Sequence, residues 1–277
     1  MTNTDDAADA RIERFKFGDN WRSFLKTLDS DRIAEAERSL TTMLGLRSLE
    51  GLRFLDVGCG SGLFSLAALR LGAATVRSFD YDPVSVACAE SLRQQFFPGS
   101  LRWAIERGSA TDQTYVRDLG TWDVVYSWGV LHHTGAMWPA IENVAGAVAR
   151  GGTLFISIYN DQGSLSRFWK AVKRAYNTGL PARAVVLAIF VPVFVVRGLA
   201  RDLPDGRNPL RRYREYRRTR GMSMVHDWRD WLGGYPFEVA KPEQIFDFLK
   251  ARGFTLERLK TCGGGLGCNE FVFRNSG

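Results

Sequence analysis

Between a short apolar run and a helical stretch the chain reads Asp56-Val57-Gly58-Cys59-Gly60-Ser61-Gly62. Alternate glycines at this point let the backbone turn sharply out of a strand and pass close to a ligand, because glycine tolerates positive φ and has no Cβ to collide. The spacing is G-x-G-x-G, and Leu63 stands where a pyrophosphate-binding G-x-G-x-x-G pattern has its last glycine. No Gly-Lys-Ser/Thr follows, so this is not a P-loop either. Asp56, two residues before the first glycine, would repel a pyrophosphate and suits a cationic ligand. Asp80 lies 18 residues past Gly62, about where an acidic side chain reaches a ribose diol.

The flanking texture supports a nucleotide fold. Runs rich in Val, Ile, Leu and aromatics at Arg53–Val57, 75–79, 101–105, 123–127 and 153–159 read as strands. Helical stretches at 63–71, 84–96, 113–119 and 138–150 lie between them. Such alternation predicts right-handed βαβ units and a doubly wound, mostly parallel sheet. Pro242 opens one more helix, and runs at 254–259 and 270–273 follow it. The link Cys262 to Cys268 is too short for a crossover, so this last pair is an antiparallel C-terminal hairpin, completing seven strands. Residues 15–46 predict N-terminal helices, one of them capped by Ser30 or Asp31. Residues 161–240 break the alternation and read as a helical cap inserted beside the carboxyl ends of the strands. The expected division is 1–50, a lead-in; 51–160 with 241–277, the sheet domain; and 161–240, the cap.

On these residues the chain resembles the class I S-adenosylmethionine-dependent methyltransferases, from about Phe54 to Tyr159 and again over the last strands. Asp56 to Gly62 matches the family's first motif, and Phe79-Asp80-Tyr81-Asp82-Pro83 its second. Gly108-Ser109-Ala110 resembles the adenine-binding turn, with Ser109 in place of the acidic residue often found there. Trp122 to His133 resembles the fourth-strand motif, and Gly151-Gly152 fits the approach to strand five. The resemblance implies a Rossmann-like seven-stranded sheet, S-adenosylmethionine as methyl donor and S-adenosylhomocysteine as product. It implies that Asp56 and the turn Gly58, Gly60, Gly62 hold the methionine portion, Asp80 the ribose, and Tyr81 and Ala110 the adenine. Cys59, Ser109, Ser127 and Trp128 are further candidate cofactor contacts by their places in these motifs.

Methyl transfer from a sulfonium is an in-line displacement, so alignment is its main requirement. A hydroxyl or protonated amine acceptor also needs a base, and histidine suits neutral pH. The chain has three: His132 and His133 after the fourth strand, and His226 beside Asp227 in the cap. For His132 and His133 the competing role is structural, a backbone hydrogen bond or a helix cap. The chain also resembles quinone-biosynthetic O-methyltransferases, which place acidic metal ligands just after strand four. Here that loop, Trp128 to His133, has no carboxylate, and no metal is expected. Asn160 and Asp161 could face a pocket or form a turn. Trp228, Trp231, Tyr235 and Phe237 could wall a pocket or form the cap's own core.

The net charge of +7 is uneven, with six arginines between 211 and 220. Such a run meets nucleic acid, an anionic surface or an acidic substrate, or is only a solvated face. No RNA-binding module accompanies it, and nucleic acid is the disfavoured partner. The apolar run 184–196, flanked by Arg183 and Arg197, is too short for a spanning helix and is interrupted by Pro192. It reads as a buried helix pair, or as an interfacial lid that gives peripheral membrane contact. The polar, acidic start lacks a secretory pattern, and the scattered Cys59, Cys88, Cys262 and Cys268 read as reduced thiols, so a cytoplasmic location is expected. The function expected from all this is methylation of a small molecule, lipophilic or anionic, at oxygen. RNA or protein methylation, and a non-catalytic cofactor-binding or membrane-associated scaffold, are the alternatives.

Overall fold

The computed structural model describes residue 15, residues 17–202, residue 228 and residues 231–277. Its seven strands are β1 (Arg53–Val57), β2 (Thr75–Asp80), β3 (Trp103–Arg107), β4 (Trp122–Trp128), β5 (Val148–Tyr159), β6 (Phe254–Lys260) and β7 (Cys268–Asn275). They form one sheet in the order β3-β2-β1-β4-β5-β7-β6. The first five run parallel, and β7 pairs antiparallel with both β5 and β6. The predicted doubly wound sheet and its closing hairpin are therefore present. The strand order reverses between β1 and β4, and it is there, beyond the carboxyl ends, that such sheets bind ligands.

The described residues fall into two compact units. One comprises 17–163 and 238–277; the other comprises Phe15, 164–202, Trp228 and 231–237. In the sheet unit, α1 (Gly18–Leu25) and α2 (Ser30–Leu44) precede the first strand, and α3 (Leu63–Arg70), α4 (Pro83–Phe96), α5 (Gln113–Asp118) and α6 (Met137–Gly146) connect the strands. The cap of α2 is Asp29 rather than Ser30 or Asp31: its backbone is extended, so its carboxylate accepts the Arg32 N–H at 3.0 Å. The helix buries Ile33, Ala36, Leu40, Met43 and Leu44 and stops at Gly45 in the left-handed region.

Two strand boundaries differ from expectation for physical reasons. The third strand starts at Trp103, not Leu101, because Leu101 sits in the turn after Gly99 and is almost wholly exposed. Trp103 instead buries its ring and pairs with Val76. The helix expected over 138–150 ends at Gly146, since Val148 already pairs with Trp122 and makes β5 twelve residues long.

The second unit contains α7 (Ser164–Tyr176) and α8 (Leu180–Asp202). Helix α8 runs beyond both ends of the apolar run 184–196, so it is not too short to span a bilayer, and Pro192 does not interrupt it. A proline removes one N–H, here the donor to the Ala188 carbonyl, and both residues lie on the exposed side where water can satisfy that oxygen. Nor is the apolar run a buried helix pair: across Leu180–Ala200 only 6% of the most apolar window is buried. After β5 come these helices; α9 (Pro242–Lys250) then returns the chain to the sheet unit.

Candidate active site

Strands β1 and β2 end side by side, and their ends are tied together through backbone. The N–H groups of Gly58 and Cys59 both donate to the Phe79 carbonyl, at 2.8 and 3.0 Å. The Gly60 N–H donates to Asp80 Oδ2 at 2.9 Å, and the Asp82 N–H to Asp80 Oδ1 at 2.9 Å. Gly62 N–H turns back to the Cys59 carbonyl at 2.8 Å. Four amides of the turn are thus spent on protein oxygens. A pyrophosphate needs amide donors, so the turn suits a cationic group better than a polyanion.

Two glycines are required where they stand. Gly58 has φ +74°, and a Cβ there would lie 2.4 Å from Val130. Gly60 has φ +54°, and a Cβ would meet the Trp21 indole at 2.8 Å. Trp21 belongs to α1, which is held to the β2–α4 turn by the Gly18 N–H donating to Asp82 Oδ2 at 2.9 Å. Nothing in the sequence pointed to Trp21, because its contact with Gly60 is visible only once α1 is placed.

Asp56 is buried, and its carboxylate accepts the Ser65 hydroxyl at 2.5 Å. Ser65 Oγ lies 2.6 Å from Ser78 Oγ, which accepts the Trp103 indole N–H at 2.8 Å. With Asp56 ionised, the Ser65 proton goes to the carboxylate, so Ser78 donates to Ser65 and the chain of donors runs one way, from Trp103 to Asp56. Desolvation, with the Asp80 charge adding to it, pushes the Asp56 carboxyl up to about 7. Burial likewise raises Asp80 to about 6. The Cys59 thiol is pushed up by burial and by both carboxylates, which leaves it a poor nucleophile.

The other predicted cofactor contacts separate into two groups. Tyr81 presents a half-exposed ring, with the Arg107 guanidinium 5.5 Å from its centroid and Arg107 Nε donating to its carbonyl. Ala110 has its carbonyl fixed by Asn143 Nδ2 at 3.0 Å, and Ser109 Oγ lies 2.8 Å from Thr111 Oγ1. These residues stand just past the ends of β2 and β3. Ser127 is fully buried and its hydroxyl donates to the Val57 carbonyl, so it stitches β4 to β1. Trp128 is exposed and its Nε1 donates to Glu270 on β7.

His132 and His133 form a 3-10 turn after β4. His132 is sealed, its ring 4.1 Å from that of Tyr159, and its carbonyl accepts the Glu238 N–H. His133 keeps part of its surface, between Phe17 at 5.2 Å and Tyr159 at 5.5 Å. Glu238 was not foreseen: its carboxylate accepts the Met137 N–H and so serves the start of α6. His226 and the arginine run 207–220 lie outside the described residues. Asp161 makes a turn contact, accepting the Gly163 N–H, whereas the Asn160 amide oxygen accepts from Asn269 Nδ2 on β7. Trp231 packs on Trp169 and Phe237, and Trp228 on Phe194, so these aromatics are interior to the second unit.

Residues 55–156 match the family model of the methyltransferase domain. A ribosomal protein L11 methyltransferase from Bacillus cytotoxicus is 34% identical over 91 residues, 28% of this chain and 29% of that protein. The chain thus matches less than a third of that curated relative's length. Among solved structures, magnesium protoporphyrin IX methyltransferase from Synechocystis, crystallised with SAH, aligns over 88% of this chain and 83% of that one, at TM-score 0.52 and 16% identity. An S-adenosylmethionine-dependent methyltransferase from Mesorhizobium loti aligns over 86% and 97%, at TM-score 0.50 and 18% identity. A [4+2]-cyclase aligns over 86% and 80%, at TM-score 0.52 and 14% identity. At such identities these structures establish the fold, which therefore serves more than one reaction.

Proposed function

We propose that this chain, whose residues 55–156 match the model of a methyltransferase domain, transfers the methyl group of S-adenosylmethionine to a small-molecule acceptor, at oxygen. The observation that carries the reading is the junction of β1 and β2, where the Asp80 carboxylate accepts the Gly60 amide and Tyr81, the next residue, presents a half-exposed ring. When bound, the cofactor supplies an electrophilic methyl on a sulfonium. Asp80 accepts from the ribose hydroxyls, using the oxygen lone pairs that the backbone amides leave free. Tyr81 stacks on the adenine, and the Ser109–Ala110 turn meets its edge. Asp56 acts through field rather than contact: ionised behind the glycine turn, it favours a cation in front of it.

His133 is the candidate general base, because His132 is sealed from any acceptor. An oxygen acceptor fits a site that offers an imidazole and, on the loop 128–133, no carboxylate. A protein acceptor is the second reading, favoured by the ribosomal-protein methyltransferase likeness.

Thermal melting with S-adenosylmethionine tests the donor. A ligand at about a hundred times its Kd adds about 2.7 kcal/mol to native stability. We expect a clear rise in melting temperature, lost in Asp80→Ala; no rise at saturation refutes the reading. Label from methyl-labelled S-adenosylmethionine should pass into small molecules of a cell extract rather than protein or RNA. His133→Gln should abolish that transfer while keeping the melting shift. Label found in protein would install the second reading.

A further inference from the structure

The second unit is apolar where the surface of a water-soluble helix is polar. Along α8 the exposed positions Val185, Ala188, Ile189, Pro192, Val193 and Val196 recur every three or four residues, forming one stripe. Val185 is 59% exposed, Ile189 55% and Val196 62%. The inner face already has its partners: Phe190 lies 5.4 Å from Trp169 of α7, and Phe194 lies 5.6 Å from Trp228. Over Leu180–Ala200 the mean hydropathy is 2.1, and no charged side chain stands between Arg183 and Arg197. A contiguous exposed apolar face of this kind marks a binding surface.

The charge of the neighbouring sequence points to what covers it. Residues 164–220 contain 14 Lys and Arg against three Asp and Glu, a net +11 in a chain whose total is +7. Arg167 and Lys170 on α7 are exposed. A second copy of the chain would bring the same positive charge to the contact and be repelled. An anionic lipid surface supplies both an apolar phase and opposite charge.

We propose that α8 docks by this stripe into the interface of an anionic bilayer, lying in the membrane plane with Arg183 and Arg197 at the headgroups. The helix is long enough to span a bilayer, but α7 is packed along its inner face and exposes Arg167 and Lys170, which hydrocarbon would exclude. In-plane burial satisfies the stripe and the charges together.

Flotation of the full chain with vesicles tests this. On phosphatidylcholine vesicles containing about 30% phosphatidylglycerol the protein should be retained, with about tenfold weaker partition on phosphatidylcholine alone. The double variant Ile189→Asp/Val193→Asp should partition about tenfold more weakly on the anionic vesicles; both side chains are exposed, and an unchanged urea midpoint confirms folding. Failure of the wild-type chain to float, equal binding to both lipids, or a double variant that floats undiminished would each overturn the proposal. So would a dimer in solution that the double variant dissolves, with no vesicle binding. The S-adenosylmethionine melting shift is read independently: a shift without flotation removes only the membrane docking, and flotation without a shift removes only the methyl donor.

Discussion

Asp56 and Asp80 each hold a carboxyl that burial raises, to about 7 and about 6, with no cation among the described side chains paired to either. The groups facing Asp56 are Ser65 on α3, Asp80 on β2 and Tyr126 on β4, whose phenol Asp56 helps to push up. The sign of the linkage follows. A native pKa above the unfolded value stabilises the protein at low pH, and that contribution is lost as pH rises through the native value. The ligand-free protein should therefore lose stability between pH 4 and about 7 on account of these two groups. A cationic ligand reverses the preference, because it binds the ionised form. Affinity for S-adenosylmethionine should rise between about pH 5.5 and 7.5, with proton release at the lower end, measurable by titration calorimetry in buffers of different ionisation enthalpy. Ser65→Ala removes the larger of the two hydrogen bonds that lower Asp56, the backbone N–H remaining, so the midpoint of that rise should move up by about one unit. An unmoved midpoint would show that Asp56 does not govern binding. These roles were unequally legible in the sequence. Asp56, Asp80 and the glycines are read from local spacing, whereas Ser65 sits in an apolar helix like any helix serine, and its value depends on a partner nine residues away across a strand and a turn.

The elements were legible where hydrophobic period and turn chemistry agree, as at β1, β2 and β4. They were misjudged where a distant partner decides. Val148 becomes strand because Trp122 lies alongside, and Leu101 is lost to a turn because Trp103 takes the buried position. Pro192 was misjudged through the opposite error: a proline was weighed as a break, although an exposed helix face can leave one carbonyl to water. The α7 helix contains a case with a measurable consequence. Lys173 is fully buried, and its Nζ donates to the Trp231 carbonyl while lying 4.2 Å from the Trp231 ring centroid and 4.9 Å from that of Phe237. Methionine fills a similar volume without the charge. A charged hydrogen bond and a desolvated cation–π contact together make Lys173→Met cost about 2–3 kcal/mol, read from the shift of the urea midpoint. A loss under about 0.5 kcal/mol would show that the ammonium contributes only its stem.

At the scale of the whole chain, the cofactor residues and the lipid-facing stripe belong to different compact units. The sheet unit has cores on both faces, one including Val57, Leu131 and Phe271, the other Phe54, Leu66 and Phe155. The second has an aromatic interior built from Trp169, Phe190, Phe194 and Trp231. A block with its own core unfolds cooperatively in its own right. Calorimetry should accordingly resolve two transitions, and S-adenosylmethionine should raise the one belonging to the sheet unit, since only a ligand bound to that unit's native state adds to its stability. For a unit of this size about 2.7 kcal/mol of binding corresponds to a rise of roughly 5–10 °C. Anionic vesicles should act on the other transition, and Lys173→Met should lower that one. A single transition that moves whole under each of these perturbations would mean that the two units fold as one, and that ligand and membrane are read by the same cooperative structure.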